Sequence, residues 1–252
     1  MRKTLSMLLL STAFSTFLSA QEISSAHPEK KFRHKLVAGW NIGAAAPRSL
    51  PASIRKIESY SPLFSPSFGY EGCHFIKNKW SLGIALRIDF KGMKVKDSVA
   101  YFHTKIQNGD HPSESFEGSF SGTNVTIVKN SYLTIPVFAV WTPGKNWSYK
   151  LGGYMAVLVR PKFEGYVADG YIRNGGPLGE KVLVTKADFD FSKELRRFDY
   201  GLHAGIGRKL SKKWSVDAQF QWGLCRIFPA SFTGVSMGMY NIYGNLGMGY
   251  EL

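Results

Sequence analysis

From Trp80 the chain alternates strictly: Trp80, Leu82, Ile84, Leu86, Ile88 and Phe90 fall on one face, and Ser81, Gly83, Ala85, Arg87, Asp89 and Lys91 on the other. A period of two marks a strand, because successive side chains point to opposite sides of a sheet. The pattern recurs from Trp147 to Arg160, from Trp214 to Cys225 and from Tyr240 to Leu252. Weaker alternation predicts four further strands near 35–46, 64–76, 124–142 and 197–210. Pro136 sits inside one of them, and proline cannot donate to a ladder, so a bulge or local break is expected there.

The connections alternate as strictly as the residues. Lys77-Asn78-Lys79, Pro143 to Asn146 and Ser211 to Lys213 are short turns, whereas 47–63, 92–123 and 161–196 are long and 227–236 is intermediate. Three short turns each run into Trp-Ser and a clear strand. Those tryptophans move from 80 to 147 to 214, a constant interval of 67 residues. Eight strands, short turns at one end, long loops at the other and both termini at the short end describe an all-β, antiparallel, up-and-down transmembrane β-barrel. A soluble barrel also alternates, with its apolar set inside. Here the apolar faces of the four clear strands carry no charge, the polar faces are rich in small residues, and the tryptophans stand at strand ends. All three features favour apolar residues outside, facing lipid. Trp80, Trp147 and Trp214 then form a periplasmic aromatic girdle, since an indole favours the headgroup boundary.

The N-terminus agrees with export. Arg2 and Lys3 precede an apolar stretch to Leu18, and Ser19-Ala20 offers a small-residue cleavage site, so residues 1–20 are expected to be a signal peptide and 21–252 the barrel domain. No later segment reaches ~18 uninterrupted apolar residues, which leaves strands as the only means of spanning. The net charge of +14 raises the question of nucleic acid. Export and the lack of any recognised motif argue against it. Lys77, Lys79, Lys145, Arg208, Lys209, Lys212 and Lys213 instead gather at the short-turn end, where anionic headgroups or a periplasmic partner would meet them. Cys73 and Cys225 fall near opposite ends of their strands, too far apart for a disulfide, and are expected as free buried thiols.

With polar faces inward, the lumen receives Arg87, Lys91, Lys150, Arg160 and Lys209 together with Glu71, Asp89, Asp199, Asp217 and Glu251, five of each sign, beside His203. Buried charges are tolerated when paired, and eight strands leave room only for side chains. An ion-pair network plugging the barrel follows, rather than a channel for bulky solutes.

Tyr132-Leu133-Thr134-Ile135-Pro136-Val137 resembles the Tyr-Leu-x-Ile-Pro run of PorT-like outer-membrane β-barrel proteins. Phe198-Asp199-Tyr200-Gly201-Leu202 with Gly205-Ile206-Gly207 is similar to that family's sixth strand. The closing Leu246-Gly247-Met248-Gly249-Tyr250-Glu251-Leu252 is similar to its last, with Leu252 where phenylalanine is commoner. The resemblance implies an eight-stranded outer-membrane barrel read by the barrel-insertion machinery. It also implies a role in protein secretion of the type IX kind, through a periplasmic or secretion-complex partner.

No metal spacing, phosphate loop or nucleotide motif is present, and no cofactor is expected. A lipid A-modifying enzyme would need a lipid-facing histidine–serine pair. His74 lies at the wrong end for outer-leaflet lipid, and His103 or His111 with Ser113 and Glu114 reads as a solvated loop cluster. The expectation is a non-enzymatic structural or assembly component contacting outer-membrane lipids. A lipid A-modifying enzyme and a loop-mediated surface binder are the alternatives.

Overall fold

The computed structural model describes residues 32–107, 115–174, 178–235 and 237–252; the expected leader at 1–20 lies outside the described residues. Its strands are β1 (Phe32–Pro47), β2 (Ile54–Pro62), β3 (Pro66–Lys77), β4 (Trp80–Gln107), β5 (Ser115–Trp141) and β6 (Trp147–Arg160). They continue with β7 (Phe163–Asn174), β8 (Lys181–Asp190), β9 (Phe198–Lys209), β10 (Trp214–Arg226) and β11 (Met239–Glu251). Pairing runs from β1 through β3, β4, β5, β6, β9, β10 and β11 and returns to β1, antiparallel throughout. The ring therefore has eight members.

The other three segments are upper halves of ring strands. β2 lies on the same side of β4 as β3 does: Pro62 faces Met93 and Ser67 faces Asp89. β7 continues β6 along β5, from Ser131 opposite Arg160 to Val128 opposite Phe163. β8 leads into β9 in the same way, with Asp190 opposite Glu164 and Phe198 opposite Val157. Each break has a local cause or remedy. Pro161 interrupts β6–β7, and the Asn130 side chain accepts from the Lys162 amide at 2.8 Å. At the β2–β3 break the Ser65 hydroxyl accepts from the Gly92 amide at 2.9 Å. The expected long loops are thus largely strand. β4 and β5 run 28 and 27 residues and stay paired to Gln107 opposite Ser115.

Along β4 one observation locates the apolar band. Leu82, Ile84, Leu86 and Ile88 are each about half exposed on the outer face, while Ser81, Ala85, Arg87, Asp89 and Lys91 are buried inside. Beyond Gly92 the same parity faces inward, but the chemistry inverts: Met93 and Val99 are buried, and Lys94 and Lys96 are exposed. From Trp80 to Phe90 the rise is ~33 Å along the strand, or ~25 Å after a tilt of about 40°. That matches the apolar height of an outer-membrane barrel.

Pro136 breaks the ladder without a bulge. Pairing of β4 with β5 skips between Ile84–Val137 and Arg87–Thr134, and the register resumes unchanged. Asn78 takes a left-handed conformation (φ 48°) in the tight β3–β4 turn, which asparagine tolerates better than most residues. Cys73 and Cys225 are free and buried.

Gly83 and Ile84 test the two faces. A Cβ at Gly83 would stand 2.3 Å from the buried Phe138 ring, so Gly83→Ala should impair folding despite its small size. Ile84→Arg should cost ~2–4 kcal/mol in lipid, because the site faces mid-band hydrocarbon. Urea unfolding in phospholipid vesicles measures both; a harmless Ile84→Arg contradicts the assignment of faces.

Candidate functional site

The lumen is filled in layers, and inward strand parity determines which residues meet. Nearest the short turns, Lys150 Nζ lies 2.7 Å from both Glu71 oxygens and 3.4 Å from Asp217. Lys35 Nζ is 3.0 Å from Asp217 and 3.7 Å from Glu71. In the middle, Arg87 pairs with Asp89 at 3.1 Å, donates to Ser67 at 3.2 Å and bonds Gln219. Asn245 donates to Asn41 and Ser67 at 2.9 and 2.8 Å. Toward the far end, Tyr154 and Asn241 both donate to Asp199, at 3.0 and 2.9 Å. Lys91 Nζ sits among the rings of Tyr132, Tyr154 and Tyr243, 5.0, 5.3 and 5.4 Å from their centroids. His203 packs on Phe138, with centroids 5.4 Å apart.

Four cations (Lys35, Arg87, Lys91, Lys150) thus balance four carboxylates (Glu71, Asp89, Asp199, Asp217) in the buried lumen. Three expected members differ. Arg160 is exposed, because the register shift between Ser131 and Tyr132 turns it out of the lumen at the edge of the band. Glu251 pairs with Lys209 at 3.1 Å, with both side chains partly exposed at the mouth rather than inside the network. Lys35 was missed, although its odd parity with Val37 and Gly39 was available to place it. The three-tyrosine cage needed register between distant strands.

Trp80, Trp147 and Trp214 all stand outward and exposed at the short-turn end. Trp80 stacks on Trp141 at 6.3 Å, Trp141 meets Tyr149 at 5.6 Å, and Trp214 meets Tyr250 at 5.0 Å. His74 also lies at this end, paired in register with Phe32. His103 Nε2 is 3.3 Å from Glu117 Oε1, and Thr233 donates to that same oxygen at 3.2 Å. Imidazole and hydroxyl therefore meet on a carboxylate, not on each other as a nucleophile–base pair requires. His111, Ser113 and Glu114 lie outside the described residues.

Beyond the band, inverted polarity builds an apolar core. Phe163, Phe189, Phe191, Phe228 and Phe232 pack with ring centroids 4.8–6.4 Å apart. Beside it lies a cavity of 450 Å³, lined by Met93, Val95, Phe163, Phe191, Met237 and Met239 among others. Its polar side carries Asp97, Asn124 and Thr126. Asn124 Nδ2 donates to both Asp97 oxygens at 3.2 and 3.3 Å. Burial pushes the Asp97 carboxyl up to about 6; donation by Asn124 opposes the shift, and repulsion from Glu58 adds to it.

Two stability measurements follow. Lys150→Met leaves Glu71 and Asp217 to share Lys35 and should cost ~3–5 kcal/mol, whereas Lys150→Met with Glu71→Leu restores the charge balance and should cost less. Equal losses in urea unfolding contradict the network. For Asp97 the folded state favours the proton, so its penalty is absent below the unfolded pKa near 4. The penalty grows as pH rises to about 6 and is constant above. Asp97→Asn should therefore add about 2–3 kcal/mol at pH 7.5 and almost nothing at pH 4.

No curated protein matches the chain. Among solved structures it is similar to Ail, the attachment invasion locus protein of Yersinia pestis, in complex with the heparin analogue sucrose octasulfate. That match has 10% identity, a TM-score of 0.39, and covers 88% of this chain and 99% of that one. The backbone structure of Ail in a phospholipid bilayer nanodisc gives 10% identity, a TM-score of 0.34, and coverage of 87% and 99%. The translocator domain of the autotransporter NalP from Neisseria meningitidis gives 11%, 0.25, and 98% of both chains. At such scores the likeness does not extend to ligand or role. Family membership rests on the sequence itself: residues 19–229 fit the outer membrane protein beta-barrel domain, and the chain belongs to that family of bacterial outer-membrane β-barrels.

Proposed function

We propose that this barrel is a non-conducting, non-enzymatic binding protein, anchored by its plugged cylinder and acting through its far end. The short-turn end and both termini face the periplasm, as short turns do in bacterial barrels. The observation that carries the reading is the contrast along one axis. At band depth the lumen is packed with balanced charge, while above it the same wall surrounds a 450 Å³ apolar cavity, within the ~300–1,000 Å³ range of ligand pockets. A cylinder serving only as a structural element needs no such cavity.

A second reading has its own support. Lys145, Arg208, Lys209 and Lys213 cluster at the short-turn end, with Arg208 over the Trp147 ring at 5.3 Å and Lys213 over Tyr250 at 5.3 Å. That surface suits anionic headgroups, and also an acidic periplasmic partner such as a secretion component. Unchanged secretion after gene deletion would remove the secretion form of this reading.

Planar-bilayer recording combined with fluorescence of N-phenyl-1-naphthylamine tests the binding reading. The expected result is no unitary conductance and one saturable probe site per chain. Regular conductance steps, or probe uptake that never saturates, contradict it.

A further inference from the structure

The barrel wall has a seam. β1 pairs with β11 as far as Pro47 opposite Met239, but with β3 only as far as Trp40 opposite Pro66. Above that point the Asn41 amide donates to Ser65 O at 2.7 Å. β2 then pairs with β4 and leaves β1. A further link across the gap is the Tyr60 hydroxyl, which donates to Gly43 O at 2.8 Å. The seam starts just above the exposed Trp40–Phe64 pair, an edge-on contact of 4.9 Å at the upper limit of the apolar band. Its flanks include exposed Ile42, Leu50, Ile57 and Tyr60. Ala44, Leu50, Ile57 and Tyr60 also line the cavity, so an apolar path joins the lipid boundary to the interior.

Inside, the cavity is two-sided. Met93 and Phe163 lie on the band side, given that Met93 faces Val128 and Val128 faces Phe163, and Met239 lines the same cavity from the start of β11. Asp97 stands four residues further along β4, opposite Asn124 and Ile57. Its hydrogen bonds come from the neutral Asn124, and among the described residues no basic side chain pairs with it. Asp199 in the lumen also accepts only from neutral groups, but Lys91 offsets its charge; Asp97 has no such counter-charge, and a buried carboxylate so placed favours a ligand that brings a positive one.

We propose that the cavity binds a membrane-dissolved amphiphile with one hydrocarbon chain and an amine head, admitted through the β1–β2 seam, with the amine on Asp97 and the chain on Met93, Phe163 and Met239. This rests on the reading of the far end as a binding surface and names its ligand class. The charged groups around the head are few. On β2, Glu58 is engaged by Lys96 at 2.9 Å. Arg48, just past β1, also lines the cavity but is held over the Tyr240 ring at 4.4 Å. Asn124 and Thr126 face Asp97 from β5. With Asp97 protonating near pH 6, amine binding strengthens as pH rises from 5 to 7.5.

Electron spin resonance of nitroxide-labelled dodecylamine, with the mature chain in phospholipid nanodiscs, tests this. One immobilised amine per chain is expected at pH 7.5, with affinity lower by about tenfold or more for Asp97→Asn and for labelled dodecanoic acid. Heat-modifiable migration on gels reports folding of each variant. Ala45→Trp, which fills the cavity from β1, should abolish immobilisation without touching Asp97. Absence of an immobilised amine, equal binding of the acid, or retention in either folded variant overturns the proposal. Saturable naphthylamine binding in that event would leave the binding function standing and remove only the amine specificity.

Discussion

Hydrocarbon supplies no hydrogen bonds, and that deficit governs the architecture. Each backbone amide and carbonyl within the band must find its partner on a neighbouring strand, so the sheet must close. Closure of β1 onto β11 removes the last free edge within the band. The outer face can then be greasy, from Leu82 to Phe90, while the charged side chains that β4 carries through the band, Arg87, Asp89 and Lys91, are driven inward. There, charge is tolerable only in opposed pairs. Glu71, Lys150, Lys35 and Asp217 form one such group, and Arg87 with Asp89 another. The lumen network is the complement of the lipid face, and closure enforces both.

Above the band, water satisfies the outer surface and the constraint relaxes. Strands can break there, as at Pro161 and around Ser65, because side chains or solvent take over the freed groups. The inner face can become apolar because the outer one no longer must be. β4 carries this change within a single strand: Arg87, Asp89 and Lys91 point inward below, and Met93, Val95 and Val99 point inward above. Splaying of β2 from β1 and the cavity between them belong to the same relaxed zone.

The ring strands were legible because lipid on one side and packed charge on the other enforce a strict period of two. Lys35 was passed over because β1 alternates weakly, through small residues such as Ala38 and Gly39. Arg160 was misplaced because a one-residue register shift reverses parity, and nothing local announces it. The strands above the band resemble loops in the sequence for a physical reason as well. Met93-Lys94-Val95-Lys96 alternates, but with the apolar side reversed relative to Trp80–Phe90, so it does not extend the lipid-facing pattern. The cavity and the tyrosine cage around Lys91 depend on contacts between residues far apart in the chain, such as Lys91 with Tyr243.

A nitroxide scan along β4, in a background with Cys73 and Cys225 replaced, addresses the polarity inversion most directly. Labels at 82, 84, 86 and 88 should collide with oxygen in lipid and be shielded from a nickel chelate. Labels at 94 and 96 should show the reverse, with the crossover near Gly92. Nickel access at 84 through 88, or oxygen-dominated collisions at 94 and 96, would contradict the account.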